Sequence, residues 1–382
     1  MVKLAFRELR GYLDSLLKAL DIDTSSQTLV YSKTSLQFEL IRAATPRAIY
    51  FNDDTYVAWV PGTSSIEIAT MDAERGPVFY TLHNAVPDET QFSRETSRCL
   101  SCHDTFSLSG GGVPRFLFAS TLVDTNGQTL NDMPGADTTD QTPMSERWGG
   151  WYVTGREGPP VHLGNILVAP HKAPKDLATL RRADLPKLAA LFDTQPYVRD
   201  TSDIVALLVF EHQAYIHSLI SRANFKSRTL IVRLGDGASP DAKWTDLPQP
   251  LQRTMRPMLE GLVRAMLFVN AAPVSDPIAG GSGFDRWFEA QGPKDERGRS
   301  LRDLDLSDRL FRYRLSYLVY SAGFDGLPGS ARDYIYGRLF EVLTGRDRTE
   351  TFSYLDAAER RELLEILTAT KPDFTAATRE RT

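Results

Sequence analysis

Between residues 28 and 83 the apolar positions come in short β-branched and aromatic runs, TLVYS, RAIYF, TYVAWV, SIEIAT and PVFYTLH. Turn-forming residues separate them, among them Asn52-Asp53-Asp54 and Pro61-Gly62. This pattern predicts a meander of antiparallel strands. Ahead of it, Leu4, Leu9, Leu13, Leu16, Leu17 and Leu20 are spaced for one face of a helix, which predicts an amphipathic helix over 3–21. After the meander, FLFASTLVD and QTL flank Asn126-Gly127 as a hairpin would, and RWGGWYVTG and HLGNILVAP read as two more strands. From about residue 174 the period changes. DLATLRRADLPKLAALF reads as a helix, and so does TSDIVALLVFEHQAYIHSLISRANF, the longest and most apolar, with Thr201 or Ser202 as its cap. Further helices are expected near 248–270, 306–322, 328–345 and 355–370, with Met255, Met258 and Met266 as core residues of the first.

The fold class expected is therefore α+β: a β-rich region over 1–173 and a helical region over 174–382, packed together as one unit. Hydrophobic content of 42%, charged content of 24% and a net charge of −5 with the signs well mixed are those of an ordinary globular chain. No basic run is present, which argues against a nucleic-acid partner. The apolar stretches read as too short or too charged for a transmembrane segment, and the amphipathic start is not a secretion signal.

Cysteine usage changes the picture. The chain has two cysteines, Cys99 and Cys102, with His103 directly after them, inside the peptide SRCLSCHDTFSLSGGG (97–112). A dithiol redox site would want a thioredoxin-like βαβ setting, which the flanking pattern lacks. A structural zinc site wants four ligands, so it would need His103 and a second, distant histidine. Covalent haem attachment accounts for every position: two thiols form thioethers with the vinyl groups, and the adjacent histidine coordinates the iron. On a helix the three side chains fall within an arc of about 100°. The cofactor expected is one covalent haem c. That chemistry places the chain in the periplasm or otherwise outside the cytoplasm, with a leader removed, and the lack of other cysteines suits an oxidising space.

The second side of the iron decides between an electron carrier and a haem that binds substrate, peroxide or gas. His212 is the first candidate for a distal ligand and His162 the second. His217, five residues and about 140° from His212 on a helix, faces another way. Met133 and Met144 lie in expected loops. Arg115, Arg147, Trp148 and Trp151, with Tyr152, form a cluster able to hold haem propionates. Gly110, Gly111 and Gly112 allow close backbone approach.

The blocks CLSCHDT, SERWGGWYVTG, HLGN, SDIVALLVFEHQAYIHSLISRANF, FRYRLSYLVYSAGFDGLP and GRLFEVLTG together resemble a group of large bacterial monohaem c-type cytochrome-like proteins, over about residues 95 to 372. The resemblance implies Cys99, Cys102 and His103 as the haem attachment. His162, His212 and His217 also fall on positions of that pattern. The expected function is one-electron transfer with a redox partner protein or a small-molecule oxidant or reductant. The alternatives are a haem enzyme, peroxidase-like or oxygen-activating, and a gas-binding or sensor protein with an open distal position.

Overall fold

The computed structural model describes residues 3–85, 91–104, 112–130, 136–158, 161–170, 187–235, 237–274 and 276–379. The meander forms as the alternation requires. Strands β1 (Thr28–Val30), β2 (Arg47–Phe51), β3 (Thr55–Trp59), β4 (Ser65–Asp72) and β5 (Gly76–His83) pair antiparallel in sequence order. The short strand β6 (Phe92–Arg94) adds at one edge. A two-residue pair, β7 (Ala119–Ser120) with β8 (Ala136–Asp137), stands apart, and β9 (Trp151–Tyr152) closes the other edge of the main sheet against β1. The order β6-β5-β4-β3-β2-β1-β9 makes seven strands.

Both faces of this sheet are buried, and the period of two sorts its residues between two cores. Ile49, Phe51 and Tyr56 face the helical half, where Phe51 stacks on Phe210 at 5.2 Å between ring centroids. Ala48, Tyr50 and Val57 face the opposite side, covered by Leu13, Leu16 and Leu17 of helix α1 (Leu13–Ala19) and by Leu188, Phe192 and Tyr197. Burying those three leucines contributes on the order of 2 kcal/mol each.

The long apolar segment is a single helix, α3 (Ile204–Leu234), of 31 residues, about 46 Å at the standard rise. It is the one helix among the described residues long and apolar enough to cross a membrane, and 83% of its most apolar window is buried inside the protein. On it pack α4 (Gln249–Met266), α5 (Phe284–Ala290) and α6 (Ala322–Asp325); α7 (Gly329–Leu343) packs on α4, and α8 (Ala357–Thr370) and α9 (Pro372–Thr378) pack on α7. The short α2 (Leu100–His103) belongs to the cysteine peptide. The α+β class is thus observed, and one core draws on both regions: Ile49, Phe51 and Trp151 pack in the same cluster as Leu208, Leu262 and Leu339.

Several expectations are corrected. The helix over 3–21 shrinks to α1. Gly11 turns the chain in a left-handed conformation (φ +61°), with a two-way backbone bond between Arg7 and Gly11, and Asn84 Oδ1 sits 1.9 Å from where a Cβ would be. The cap of α3 is Asp203, not Thr201 or Ser202; its carboxylate accepts the N–H groups of Val205 and Ala206. Ser202 is spent elsewhere, accepting from Leu29 N–H and donating to the Tyr152 carbonyl. No helix spans 306–322: the segment holds a bridge, Leu304 to Phe311, and a 3-10 turn over Tyr317–Tyr320. HLGNILVAP forms no strand, only isolated bridges, at His162 and from Val168 to Asp124. The hairpin about Gly127 reduces to a Val123–Thr129 bridge and one further bond. Of the helix expected over 176–192, the described part, 187–192, holds a 3-10 turn, Leu188–Ala190; the remainder, Met133, Gly110 and Gly111 lie outside the described residues. Met255 and Met266 are fully buried and Met258 partly, as expected of a core stripe.

Candidate functional site

The cysteine peptide leaves the sheet edge directly. After β6, Glu95 accepts the Thr81 hydroxyl at 2.9 Å, and the chain winds into α2, with Cys99 already helical ahead of it (φ −69°, ψ −41°). His103 N–H bonds the Cys99 carbonyl at 3.0 Å, so Cys99, Cys102 and His103 share a single turn, as the i, i+3, i+4 spacing requires. Both thiols are free, Cys99 half-buried and Cys102 exposed. Burial, aided by Glu67 and Glu95, pushes the Cys99 thiol up to about 11.

His103 is held by backbone. Its Nδ1 lies 2.7 Å from the Arg115 carbonyl, and the Arg115 N–H returns a bond to the His103 carbonyl at 3.1 Å. A carbonyl only accepts, so Nδ1 carries the proton and Nε2 keeps its lone pair. This is the tautomer of a histidine oriented to bind a metal through Nε2. Burial also lowers the affinity of His103 for a second proton. The ring packs on Phe79 of β5 at 4.6 Å between centroids. Asp104 accepts Val113 N–H at 2.8 Å, fixing the chain on the far side of the loop.

The segment that holds His103 is itself tied to α3. Ser221 donates to the Pro114 carbonyl at 2.8 Å, and Phe116 N–H donates to Ser218 Oγ at 3.2 Å. His217 is the neighbour of Ser218. It is fully buried, with Nδ1 3.1 Å from the Tyr56 hydroxyl, its ring 5.7 Å from that of Phe116, and no partner at Nε2. Burial drives its pKa down to about 3, so the ring is neutral.

The remaining sequence-predicted residues divide into two groups. Arg115 joins the peptide through its backbone; its side chain pairs with Asp137 at 2.7 Å and keeps a buried Nε without a partner. Arg147, Trp148, Trp151, His162 and His212 gather around a different turn of α3, about 9 Å along the axis from Ser218 if measured at His212. There Arg147 is almost fully buried and spends three of its N–H groups inside the protein: on Glu211 at 2.7 Å, on the Asp140 carbonyl at 3.1 Å and on the Thr142 carbonyl at 2.8 Å. Burial pushes Glu211 up to about 7, against the pull of Arg147. Trp151 donates to the Ala119 carbonyl and stacks on Phe118 at 4.4 Å. Trp148 is buried edge-on to His162, which accepts the Gly164 N–H at Nδ1. Arg147 and Trp151 are thus engaged by the protein's own groups in the way a propionate would have engaged them.

His212, first-ranked in the sequence as a distal ligand, has both ring nitrogens occupied: Nδ1 by Asp140 at 2.9 Å and Nε2 by Ser316 at 2.8 Å. The order Ser316–His212–Asp140 is that of a nucleophile, base and acid. Yet Ser316 and His212 are fully buried, and neither lines the adjacent cavity of about 400 Å³, which is walled by Asp140, Arg147, Phe268, Phe311 and Arg314. Without access for a substrate carbonyl, the chain of bonds is structural. Asp140, Glu211 and Ser316 had no sequence signal; their partners come from 64 to 104 residues away.

The residues at the cysteine peptide fit a covalent haem. Cys99 and Cys102 would form the thioethers, His103 Nε2 would hold the iron, and Arg115 is the adjacent cation. Among the described residues no group of three or more His, Cys, Asp or Glu side chains, Cys99, Cys102 and His103 included, is placed to share one metal ion. Comparison of the chain with family models, with curated proteins and with solved structures finds no match in any of the three.

Proposed function

We propose that the chain is an exported monohaem c-type cytochrome-like protein that carries one haem c on Cys99 and Cys102 and moves single electrons through it. The observation that carries this reading is the state of His103. Its proton is fixed on Nδ1 by the Arg115 carbonyl, which leaves a coordinating Nε2 on the same turn as two free thiols. Bound there, the haem supplies a one-electron redox couple. The chain's part is to orient the ligand, to hold it neutral by burial, and to brace it on Phe79 and, through residues 114–116, on α3. The electron partner is a redox protein or a small-molecule oxidant or reductant.

A second reading, a haem enzyme or gas-binding protein, is favoured by one observation: His212 has no nitrogen left for iron. Protein matured with a cytochrome assembly system tests the attachment. Pigment that stays with the chain in acidified acetone, and is lost from the Cys99→Ser, Cys102→Ser double variant, is the expected result. Pigment that extracts from the unaltered chain, or a colourless product, refutes it.

A further inference from the structure

The cavity of about 400 Å³ beside His212 takes no part in the haem reading, and its volume is that of a small-molecule site. One short stretch of its wall joins two acidic positions. Ala272 N–H bonds the Asp140 carbonyl at 2.8 Å, and Val274 N–H bonds the Asp308 carbonyl at 2.9 Å. The two donors are two residues apart, a span of at most about 7 Å. Just ahead of them, Phe268 and Asn270 line the same cavity in left-handed conformations (φ +58° and +59°), a strain that the surrounding structure holds in place.

Polar groups of both signs reach this cavity with bonds to spare. His212 Nδ1 holds Asp140 Oδ2 at 2.9 Å, and Oδ1 of that carboxylate has no hydrogen bond among the described residues. Arg309 lines the cavity beside Asp308. Its buried Nε stands 3.5 Å from Asp305 and 3.8 Å from Asp308 and hydrogen-bonds to neither. Arg314 commits Nε and Nη2 to Glu359 and the Tyr354 carbonyl, which leaves Nη1 open. Arg147, by contrast, is spent on Glu211 and two carbonyls. Asp140 and Glu211 thus have that one guanidinium between them, and Asp140, after burial, is among the groups that raise Glu211. The wall between the charged groups is apolar, with Leu208, Phe268 and Phe311.

We propose that this cavity binds a free amino acid with an apolar side chain. Its carboxylate takes the open N–H groups of Arg309 and Arg314, its ammonium takes Asp140 Oδ1, and its side chain lies on Phe268 and Phe311. His212 is a positioning residue, since it fixes the Asp140 carboxylate from behind. A molecule with one of the two charges leaves the other partner unmet. The site is independent of haem attachment.

Calorimetric titration of the full chain with L-leucine and L-phenylalanine tests it, beside the matched compounds of single charge: isocaproate, hydrocinnamate, isoamylamine and phenethylamine. At least one amino acid should bind, and its acid and amine should bind about ten- to a hundredfold more weakly, the worth of one charged hydrogen bond. Asp140→Asn should weaken the amino acid by a similar factor and leave the acid unchanged. Arg309→Gln should weaken the amino acid and leave the amine unchanged, a split that general loosening of the fold does not produce. No binding of either amino acid at millimolar concentration overturns the proposal. So does an acid or an amine that binds as tightly as its amino acid. Both of these outcomes are read on the unaltered chain, so they stand even where a variant fails to fold.

Discussion

Replacing Arg147 by methionine keeps most of the stem volume and removes the charge opposite Glu211. Glu211 is fully buried and Arg147 nearly so, and they meet at 2.7 Å. Breaking such a pair from one side leaves an uncompensated buried carboxylate, which costs about 3–5 kcal/mol. The cost depends on pH. Even with Arg147 present, burial raises Glu211 from 4.5 to about 7. The native state therefore holds a proton between those values that the unfolded state has released. A raised carboxylate makes unfolding easier as pH rises, so this group lowers the stability of the unaltered protein by roughly 3 kcal/mol from pH 4.5 to above pH 7, an order-of-magnitude figure at 1.36 kcal/mol per unit. Without Arg147 the native value climbs further, so the gap between Arg147→Met and the parent should widen by up to about 1.4 kcal/mol, from about 1–2 kcal/mol at pH 5, where Glu211 is protonated and only hydrogen bonds are lost, to about 2.5–3.5 kcal/mol at pH 8. Urea unfolding at both pH values measures it, and Arg147→Met combined with Glu211→Leu should recover most of the loss at pH 8. A gap under about 1 kcal/mol at pH 8, or one that narrows with pH, would refute the reasoning. A loss confined to haem-loaded protein would return Arg147 to the propionate role that its internal bonds argue against.

Two further outcomes follow from single contacts. Asp203→Ala removes a carboxylate that accepts the N–H groups of Val205 and Ala206 and, from the loop beyond, those of Gly281 and Ser282 at 2.8 Å each; the loss should reach about 2–4 kcal/mol in urea titration, more than a cap alone, with Asp203→Asn recovering part of it. Gly11→Ala forces a Cβ onto Asn84 Oδ1 in a left-handed conformation and breaks the Tyr12 N–H bond to that oxygen at 2.9 Å, so thermal or urea unfolding should show a loss of about 2–3 kcal/mol with little change in helix content.

What the sequence disclosed follows from how local each signal is. Cys99, Cys102 and His103 could be read as a set because their i, i+3, i+4 spacing puts them on one turn, where the structure has them. The meander was legible because each strand pairs with the next and the turns lie between. The N-terminal helix misled because the leucine spacing continued through Arg10-Gly11, where the structure needs a left-handed turn that a hydrophobic pattern does not record. The segment 306–322 misled because its apolar residues are buried without helical hydrogen bonds; Ser316 N–H bonds the Met266 carbonyl and Arg312 N–H the Asp303 carbonyl. The ranking of histidines failed for a different reason. Periodicity sets His212 and His217 about 140° apart, yet both are fully buried, and which of their nitrogens is satisfied depends on Asp140, Ser316 and Tyr56, which lie 72, 104 and 161 residues away.

The same helix thereby does two separable tasks. Glu211, His212, Gln213 and His217 are all essentially excluded from solvent, as are Ser221, Asn224 and Ser227, and each such group left without partners costs the helix stability. The turn at 211–213 finds them in the 140–147 segment, in Ser316 and Tyr317, and in Asn52, and so fixes how the loops of the helical half meet the sheet. One to two turns on, the partners change. Ser218 and Ser221 bind residues 114–116, whose Arg115 carbonyl sets the proton of His103, and His217 Nε2 has no partner. The open Nε2 is a local cost, as are Glu211 Oε1 and Ser227 Oγ on the same helix, which also lack partners, and the turn that carries it is the one that braces the cysteine peptide. The turn at 211–213 therefore ties the helical half to the sheet, and the turn at 218–221 ties it to residues 114–116.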